Sequence, residues 1–354
     1  MYKKLFIPGP THVREEILQV MATPMIGHRS KDYADLQRKV IPKLQKVLYT
    51  ENRCFLSTSS STGLMEAAIR NCSQKKVLNT ICGAFSKRWH EITLANGKAA
   101  DPLEVEMGQA ITPEMIDGKL KTGEYDALTL VHNETSTGVT NPLYEIAEVM
   151  KNYPDVCFLV DAVSSMAGIK IEVDRLGIDV CLAGVQKCFA LPPGLAVASV
   201  SQKAMDRSAE VKDKGYYFDF HVFLKYYERG QTPTTPAIPQ IMALNKQLDD
   251  ILTEGLDNRF QRHAEMAKFV QEWAGKYFAL YSDERYLSKT VTNIKNTRGI
   301  SVAGLNEELG KRGAMISNGY GSLKEHCFRI AHMGDLTLDD VRWVTGQIED
   351  ILGL

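Results

Sequence analysis

The stretch Val180-Cys181-Leu182-Ala183-Gly184-Val185-Gln186-Lys187 is apolar almost to its end, where a lysine stands shortly before the stiff turn Leu191-Pro192-Pro193-Gly194. A similar run, Val156-Cys157-Phe158-Leu159-Val160, ends on Asp161. Short apolar runs bounded by turn residues read as strands buried on both faces, as in parallel sheets. Each of these two delivers one ionisable group at its C-terminal end, so opposite charges meet at the rim of one sheet. In open α/β sheets that rim is where ligands bind.

Outward from this pair, strands and helices alternate. Cys54-Phe55-Leu56 leads through Ser57-Thr58-Ser59-Ser60-Ser61-Thr62-Gly63 into a helix over 64–70. Lys76-Val77-Leu78-Asn79-Thr80-Ile81 leads through Gly83-Ala84-Phe85 into a helix over 86–95. Ala127-Leu128-Thr129-Leu130-Val131 ends at His132-Asn133-Glu134, ahead of a helix near 143–151, and Ala196-Val197-Ala198-Ser199-Val200 reads as a returning strand. Upstream, a helix is expected over 15–21 and another over 32–49 (Leu36, Val40, Leu44, Val47, Leu48), interrupted by Pro42. Such alternation implies a mostly parallel sheet covered by helices. Near residue 250 the character changes to a long amphipathic helix over 256–277, strands at 291–294 and 328–330, and helices over 302–312 and 338–352. The expected organisation is an N-terminal arm over 1–14, a large α/β domain over 15–250 and a small α+β domain over 251–354.

Composition narrows the function classes. With 42 basic against 43 acidic residues, a net charge of −1 leaves no footprint for nucleic acid or an anionic membrane. No stretch approaches the roughly 20 apolar residues of a membrane span. The seven cysteines, at 54, 72, 82, 157, 181, 188 and 327, show no C-x-x-C spacing, which points to a reducing compartment, and a cytoplasmic location is expected. The histidines have no ligand spacing, so no metal site is expected.

The remaining motifs are chemical. A lysine with apolar neighbours Val185, Cys188 and Phe189 is a burial candidate, and burial makes an amine more nucleophilic. Together, Lys187 and Asp161 are the pair a pyridoxal-phosphate enzyme needs, one to carry the cofactor and one to hold its ring nitrogen protonated. Ser60, Ser61 and Thr62 before a helix form a phosphate cradle or merely an N-cap. Phe85 is core or a stacking ring, and Arg329 is half of a structural ion pair or a carboxylate clamp. Gly27-His28-Arg29-Ser30 is a basic loop suited to an anion.

In this order the motifs resemble the class V (small) aminotransferases of the fold-type I pyridoxal-phosphate enzymes, and most of all the alanine–glyoxylate and serine–pyruvate aminotransferases. The resemblance rests on Pro8-Gly9-Pro10, Gly27-His28-Arg29-Ser30, Ser60-Ser61-Thr62, Gly83-Ala84-Phe85, Asn133 to Gly138, Val160 to Ser165, Gly184 to Lys187, Gln231 to Pro236 and Phe328-Arg329-Ile330. It implies a large domain with a mostly parallel seven-stranded sheet flanked by helices, plus a smaller C-terminal α+β domain. It further implies pyridoxal 5'-phosphate tethered by Lys187, with Asp161 at the ring nitrogen, Phe85 and Val163 on the two ring faces and Thr135 at the ring hydroxyl. Ser60, Ser61, Thr62 and Gln186 would bind the phosphate, joined by Thr234 and Thr235 from the other subunit of a homodimer. Arg329 would clamp the substrate carboxylate, with Gly9, His28 and Arg29 also at the substrate. The implied reaction is ping-pong transamination between a small L-amino acid and a 2-oxo acid such as glyoxylate or pyruvate. One carboxylate clamp with no second distal arginine favours alanine, serine or glycine. The alternative, from His28-Arg29, is phosphoserine transamination, and a further one is cysteine desulfuration, for which Cys327 is the available thiol.

Overall fold

The computed structural model describes residues 3–354, so Met1 and Tyr2 of the expected arm lie outside the described residues. A seven-stranded sheet runs in the order Arg53–Ser57, Ala196–Val200, Val180–Gly184, Cys157–Asp161, Ala127–Val131, Lys76–Ile81, Ala99–Glu104. Ala196–Val200 is antiparallel to both its neighbours, and the other pairings are parallel. Successive side chains point to opposite faces. Phe158 and Val160 therefore join one apolar layer, with Leu128, Leu130, Cys181 and Ala183, while Cys157 and Leu159 join another with Val131, Val180 and Leu182. Helices Lys31–Leu48 and Ile238–Glu254 cover the first layer, and Ser61–Cys72 and Gln202–Glu210 the second. Burial on both faces is why these strands read as continuous apolar runs.

One expectation needs correction, and one strand was missed. Pro42 does not interrupt its helix, which is continuous from Lys31 to Leu48. Pro42 sits on the exposed face, where the carbonyl deprived of its helical donor can turn to water. Strand Ala99–Glu104 escapes a reading for apolar runs because it contains Asp101 and Pro102. As the last strand it is exposed along one side, where proline is tolerated.

A second sheet of five strands has the order Lys4–Phe6, Ala314–Asn318, Cys327–Ala331, Val291–Lys295, Ala279–Leu280. Lys4–Phe6 pairs in parallel with Ala314–Ile316, and Phe6 is fully buried in the apolar cluster beneath this sheet. The extended arm thus begins as part of the small sheet. It then crosses to the large one, where Thr11 N–H donates to Gln186 O at 3.0 Å.

Helix Ile238–Glu254 spans residue 250 and meets Leu256–Tyr277 at Gly255, whose φ of 84° suits a residue without Cβ. One turn into the second helix, Arg259 is almost fully buried. It donates to Ala167 O at 2.9 Å and Cys188 O at 2.7 Å and pairs with Glu254 at 2.8 Å and Asp335 at 3.3 Å. Removing one partner of a buried ion pair strands the others. Arg259→Ala is therefore expected to lower stability by about 3–5 kcal/mol, read as a fall in the urea midpoint; a fall under about 1 kcal/mol would contradict this role.

Candidate active site

Asp161 ends its strand beside Leu182 of the neighbouring strand, and the chain continues from there through Val185 and Gln186 to Lys187. Parallel pairing with that register brings both charges to the C-terminal rim. Together they line a cavity of about 200 Å³. Asp161 is buried, accepts a hydrogen bond from Val163 N–H at 2.8 Å, and has the Trp89 indole near enough to favour its charge. Burial nevertheless wins and pushes its carboxyl up to about 6. Lys187 is shifted the other way, down to about 8, by burial first and then by the charge of Arg329. Its Nζ donates to Pro8 O.

The arm shapes this lysine. Gly9 has φ +120°, and a Cβ there would lie 2.6 Å from Lys187 Nζ and Cδ. Of the residues expected at the substrate, Gly9 therefore acts on the lysine itself by leaving room for it.

Ser60 is the N-cap of helix Ser61–Cys72, yet its hydroxyl makes no capping bond. The first N–H groups of the helix, together with Ser60, Ser61, Thr62 and Gln186, border the same cavity. Free helix N–H groups with the positive end of the dipole form an anion site. Phe85, Thr135 and Val163 line the cavity as well.

Phe85 is held by a residue that sequence reading assigned no role. Glu134 is fully buried and accepts from Phe85 N–H at 3.3 Å, Ser86 N–H at 2.9 Å and Ser136 N–H at 3.1 Å, and from the Ser86 and Ser136 hydroxyls at 2.9 and 2.6 Å. Its carboxylate thus serves as the cap of helix Ala84–Ala95. Gly83 is required by space, since a Cβ there would meet Glu134 Cδ at 2.6 Å. Arg88, one turn beyond Phe85, also lines the cavity; the i, i+3 spacing was the available signal. Tyr320 packs on Phe85 at 5.2 Å from the small-sheet side.

Arg329 is buried and forms no ion pair among the described residues. Its guanidinium donates to Thr135 O at 3.2 Å and to Asn318 O at 3.0 and 3.2 Å, and burial lowers it to about 10. It stands beside the cavity through Thr135. His28, Arg29, Thr234 and Thr235 do not line the cavity of their own chain. Arg29 donates to Gln231 Oε1 at 3.1 Å, Thr232 O at 2.7 Å and Pro233 O at 3.1 Å. Thr234 borders a separate cleft with Thr58 and Tyr217.

A raised Asp161 has a defined consequence for the protein free of ligand. The fold retains a proton that the unfolded chain releases between 3.8 and about 6, so the stability contributed by the neutral acid is lost as pH rises through 6. Asp161→Asn has no such loss. Its urea-unfolding free energy relative to the unsubstituted protein should improve by on the order of 2 kcal/mol from about pH 4 to about pH 7. A difference that stays flat over that range would refute the burial argument.

The model of the family described as aminotransferase class-V matches residues 12–336. An uncharacterized aminotransferase of Methanocaldococcus jannaschii is 44% identical over 94% of this chain and 88% of its own length. The serine–glyoxylate aminotransferase of Methylorubrum extorquens is 32% identical over 94% of this chain and 86% of its own. Among solved structures, the alanine–glyoxylate aminotransferase of Nostoc sp. matches with a TM-score of 0.93 at 26% identity, covering 99% of this chain and 96% of that one. A match that runs through the large sheet, its rim turns and most of the small sheet, with relatives aligned over most of their own length, makes this chain a member of the class-V aminotransferase family and an aminotransferase.

Proposed function

We propose that the chain is a pyridoxal 5'-phosphate-dependent aminotransferase that moves an amino group between a small L-amino acid, such as alanine or serine, and a 2-oxo acid, glyoxylate or pyruvate, in a ping-pong cycle. The observation that carries the reading is a buried carboxylate with no cation paired to it among the described residues, raised to about 6, facing the same cavity as an amine lowered to about 8. These residues fit the cofactor. A protonated ring nitrogen would relieve the buried charge of Asp161, Phe85 and Val163 offer apolar surfaces to the ring, and Thr135 suits its hydroxyl. The uncapped N-terminus of helix Ser61–Cys72, with Ser60, Thr62 and Gln186, suits the phosphate. Glyoxylate stands in the names of the Methylorubrum and Nostoc relatives, which supports it as an acceptor.

When bound, the cofactor supplies the electron sink and the carbon that carries the amino group between half-reactions. The chain's own residues do the rest. Asp161 holds a proton at the ring nitrogen. Lys187, whose neutral form burial favours, would take the proton from the substrate Cα and return it to the cofactor carbon that carries the amino group. Arg329, with no carboxylate of its own, binds the substrate α-carboxylate as a fork.

Thr234 and Thr235 lie away from their own cavity, which supports a homodimer in which they serve the partner's phosphate site. The proposal includes a cytoplasmic location; no helix among the described residues is long and apolar enough to cross a membrane. Phosphoserine is disfavoured because glyoxylate, not phosphoserine, stands in the names of relatives at 30–32% identity matched over most of their length. Desulfuration is disfavoured because Cys327 is buried, with its thiol pushed up to about 11.

Lys187→Ala is expected to abolish transamination in a coupled assay with glyoxylate and an amino-donor panel; retained turnover would sink the assignment. Arg329→Gln should raise the donor KM about 10- to 100-fold, the worth of one charge-assisted contact, and an unchanged KM would remove it from the substrate site.

A further inference from the structure

One buried hydrogen-bond donor beside the site has no acceptor. Trp89 is among the largest fully buried side chains, yet its indole nitrogen has no hydrogen-bond partner among the described residues. An indole N–H taken out of water without an acceptor costs free energy, and buried tryptophans usually find one. The alternation of side chains along the strands decides what this N–H meets. Asp161 stands two residues beyond Leu159, so its carboxylate leaves the sheet on the face where Cys157, Leu159 and Trp89 share one apolar cluster. Val163 packs against the same cluster. Trp89 also lies one turn beyond Phe85 on helix Ala84–Ala95, so the Phe85 ring and the indole project from one helix face.

Asp161 has acceptor sites left open. Its Oδ1 accepts from Val163 N–H at 2.8 Å, and no other hydrogen bond to the carboxylate forms among the described residues, so the indole stands near it without a closed bond. The charged and titratable groups that face the carboxylate are Glu134 from just past Ala127–Val131, Lys187 from beyond Val180–Gly184, and the Cys181 thiol; Arg88 lines the cavity from the helix of Trp89. Burial opposes charge on Asp161 most and Glu134 opposes it further, whereas Val163 N–H, the indole and Lys187 favour it. The Cys181 thiol is itself pushed far up by burial and stays neutral. Lys187 exchanges its proton in the cycle, so steady support for the carboxylate falls to the two neutral N–H donors.

We propose that Trp89 is a positioning residue for Asp161: its indole N–H closes onto the carboxylate when Asp161 is charged and holds it, together with Val163 N–H, as the weakly basic partner of the cofactor's ring nitrogen. This rests on the cofactor reading above and deepens it. A carboxylate that accepts two N–H donors competes less for a proton, so the proton stays on the ring nitrogen. Deleting the indole N–H makes Asp161 more basic, draws that proton toward the carboxylate and weakens the electron sink for every amino donor alike.

The test uses the full chain with Trp89→Phe and with Trp89→benzothienylalanine, which keeps the fused-ring shape and lacks the N–H. Each is made with Asp161 and with Asp161→Asn. The Kd for pyridoxal 5'-phosphate should rise about 10- to 100-fold when Asp161 is present, and by less than about 2-fold beside Asp161→Asn. In the holoenzyme, kcat should fall by a common factor with alanine, serine and aspartate, while the KM of each stays unchanged. Without cofactor, the contribution of Asp161 to the urea-unfolding free energy is taken against the matching Asp161→Asn protein. In the unsubstituted chain that stability is lost as pH rises through about 6, and in both Trp89 variants the midpoint should lie about one pH unit higher. An equal loss of cofactor affinity in both backgrounds overturns the proposal, because packing alone would produce it. So does an unmoved midpoint, and so does a kcat that does not fall. If Trp89→Phe fails to fold, the benzothienylalanine protein decides. A chain that neither binds the cofactor nor transaminates defeats the functional reading instead, while the midpoint still judges Trp89.

Discussion

A carboxylate at the end of a buried strand, held in its charged form by little more than one backbone N–H, is the constraint around which the site is organised. Asp161 costs free energy wherever it ionises without a cation, and its upward shift measures that cost. The nearest amine, Lys187, is itself depressed rather than raised, so the two do not simply neutralise each other. The site therefore presents a carboxyl that keeps its proton to higher pH than usual and an amine that releases its proton at lower pH than usual, at neighbouring positions. That division of roles arises because desolvation penalises each charge more than their mutual attraction repays.

Much of the remaining architecture serves to hold other groups against this pair. Glu134 spends its acceptor capacity on the first turn of the helix that carries Phe85 and Arg88. Gly83 and Gly9 leave space, one for the Glu134 side chain and the other for Lys187. The N-terminal arm and the small sheet form one unit through the pairing of Lys4–Phe6 with Ala314–Ile316. The same unit brings Pro8 and Gly9 to the lysine and, by way of Asn318 and Tyr320, positions Arg329. Arg259 ties this unit's long helix to the backbone of the large domain at Ala167 and Cys188, next to the lysine.

Legibility in the sequence followed burial. Val180–Gly184 and Cys157–Asp161 are buried at every position, and a strand of that kind is apolar throughout. The long helices Leu256–Tyr277 and Leu338–Leu352 were equally plain, because a helix packed on one side repeats its apolar residues with helical period. Ala99–Glu104 and Ala314–Asn318 were not legible: the first is an exposed edge, and the second alternates and ends in polar residues. Pro42 looked like a break because local rules cannot say which side of a helix meets water. Arg88 and Glu134 each stood within a few residues of a quoted motif, yet nothing local says that an arginine lacks a carboxylate or that a glutamate lies beneath a helix end.

What the sequence determined by itself was the class of fold, the order along the chain of the six buried strands of the large sheet, and the positions of Asp161, Lys187 and the hydroxyl turn at Ser60 to Thr62 at strand ends. These depend on short-range pattern and on the rule that ligands meet parallel sheets at their C-terminal rim. Tertiary structure alone decided which side chains share a cavity, that Arg29 is engaged by its own chain, that Arg329 forms no ion pair among the described residues, and that Arg88 lines the cavity over the Phe85 ring. The reason is physical: a charge's partners, and the desolvation that sets its proton affinity, come from residues distant in sequence, and only the folded chain brings them within a few ångströms.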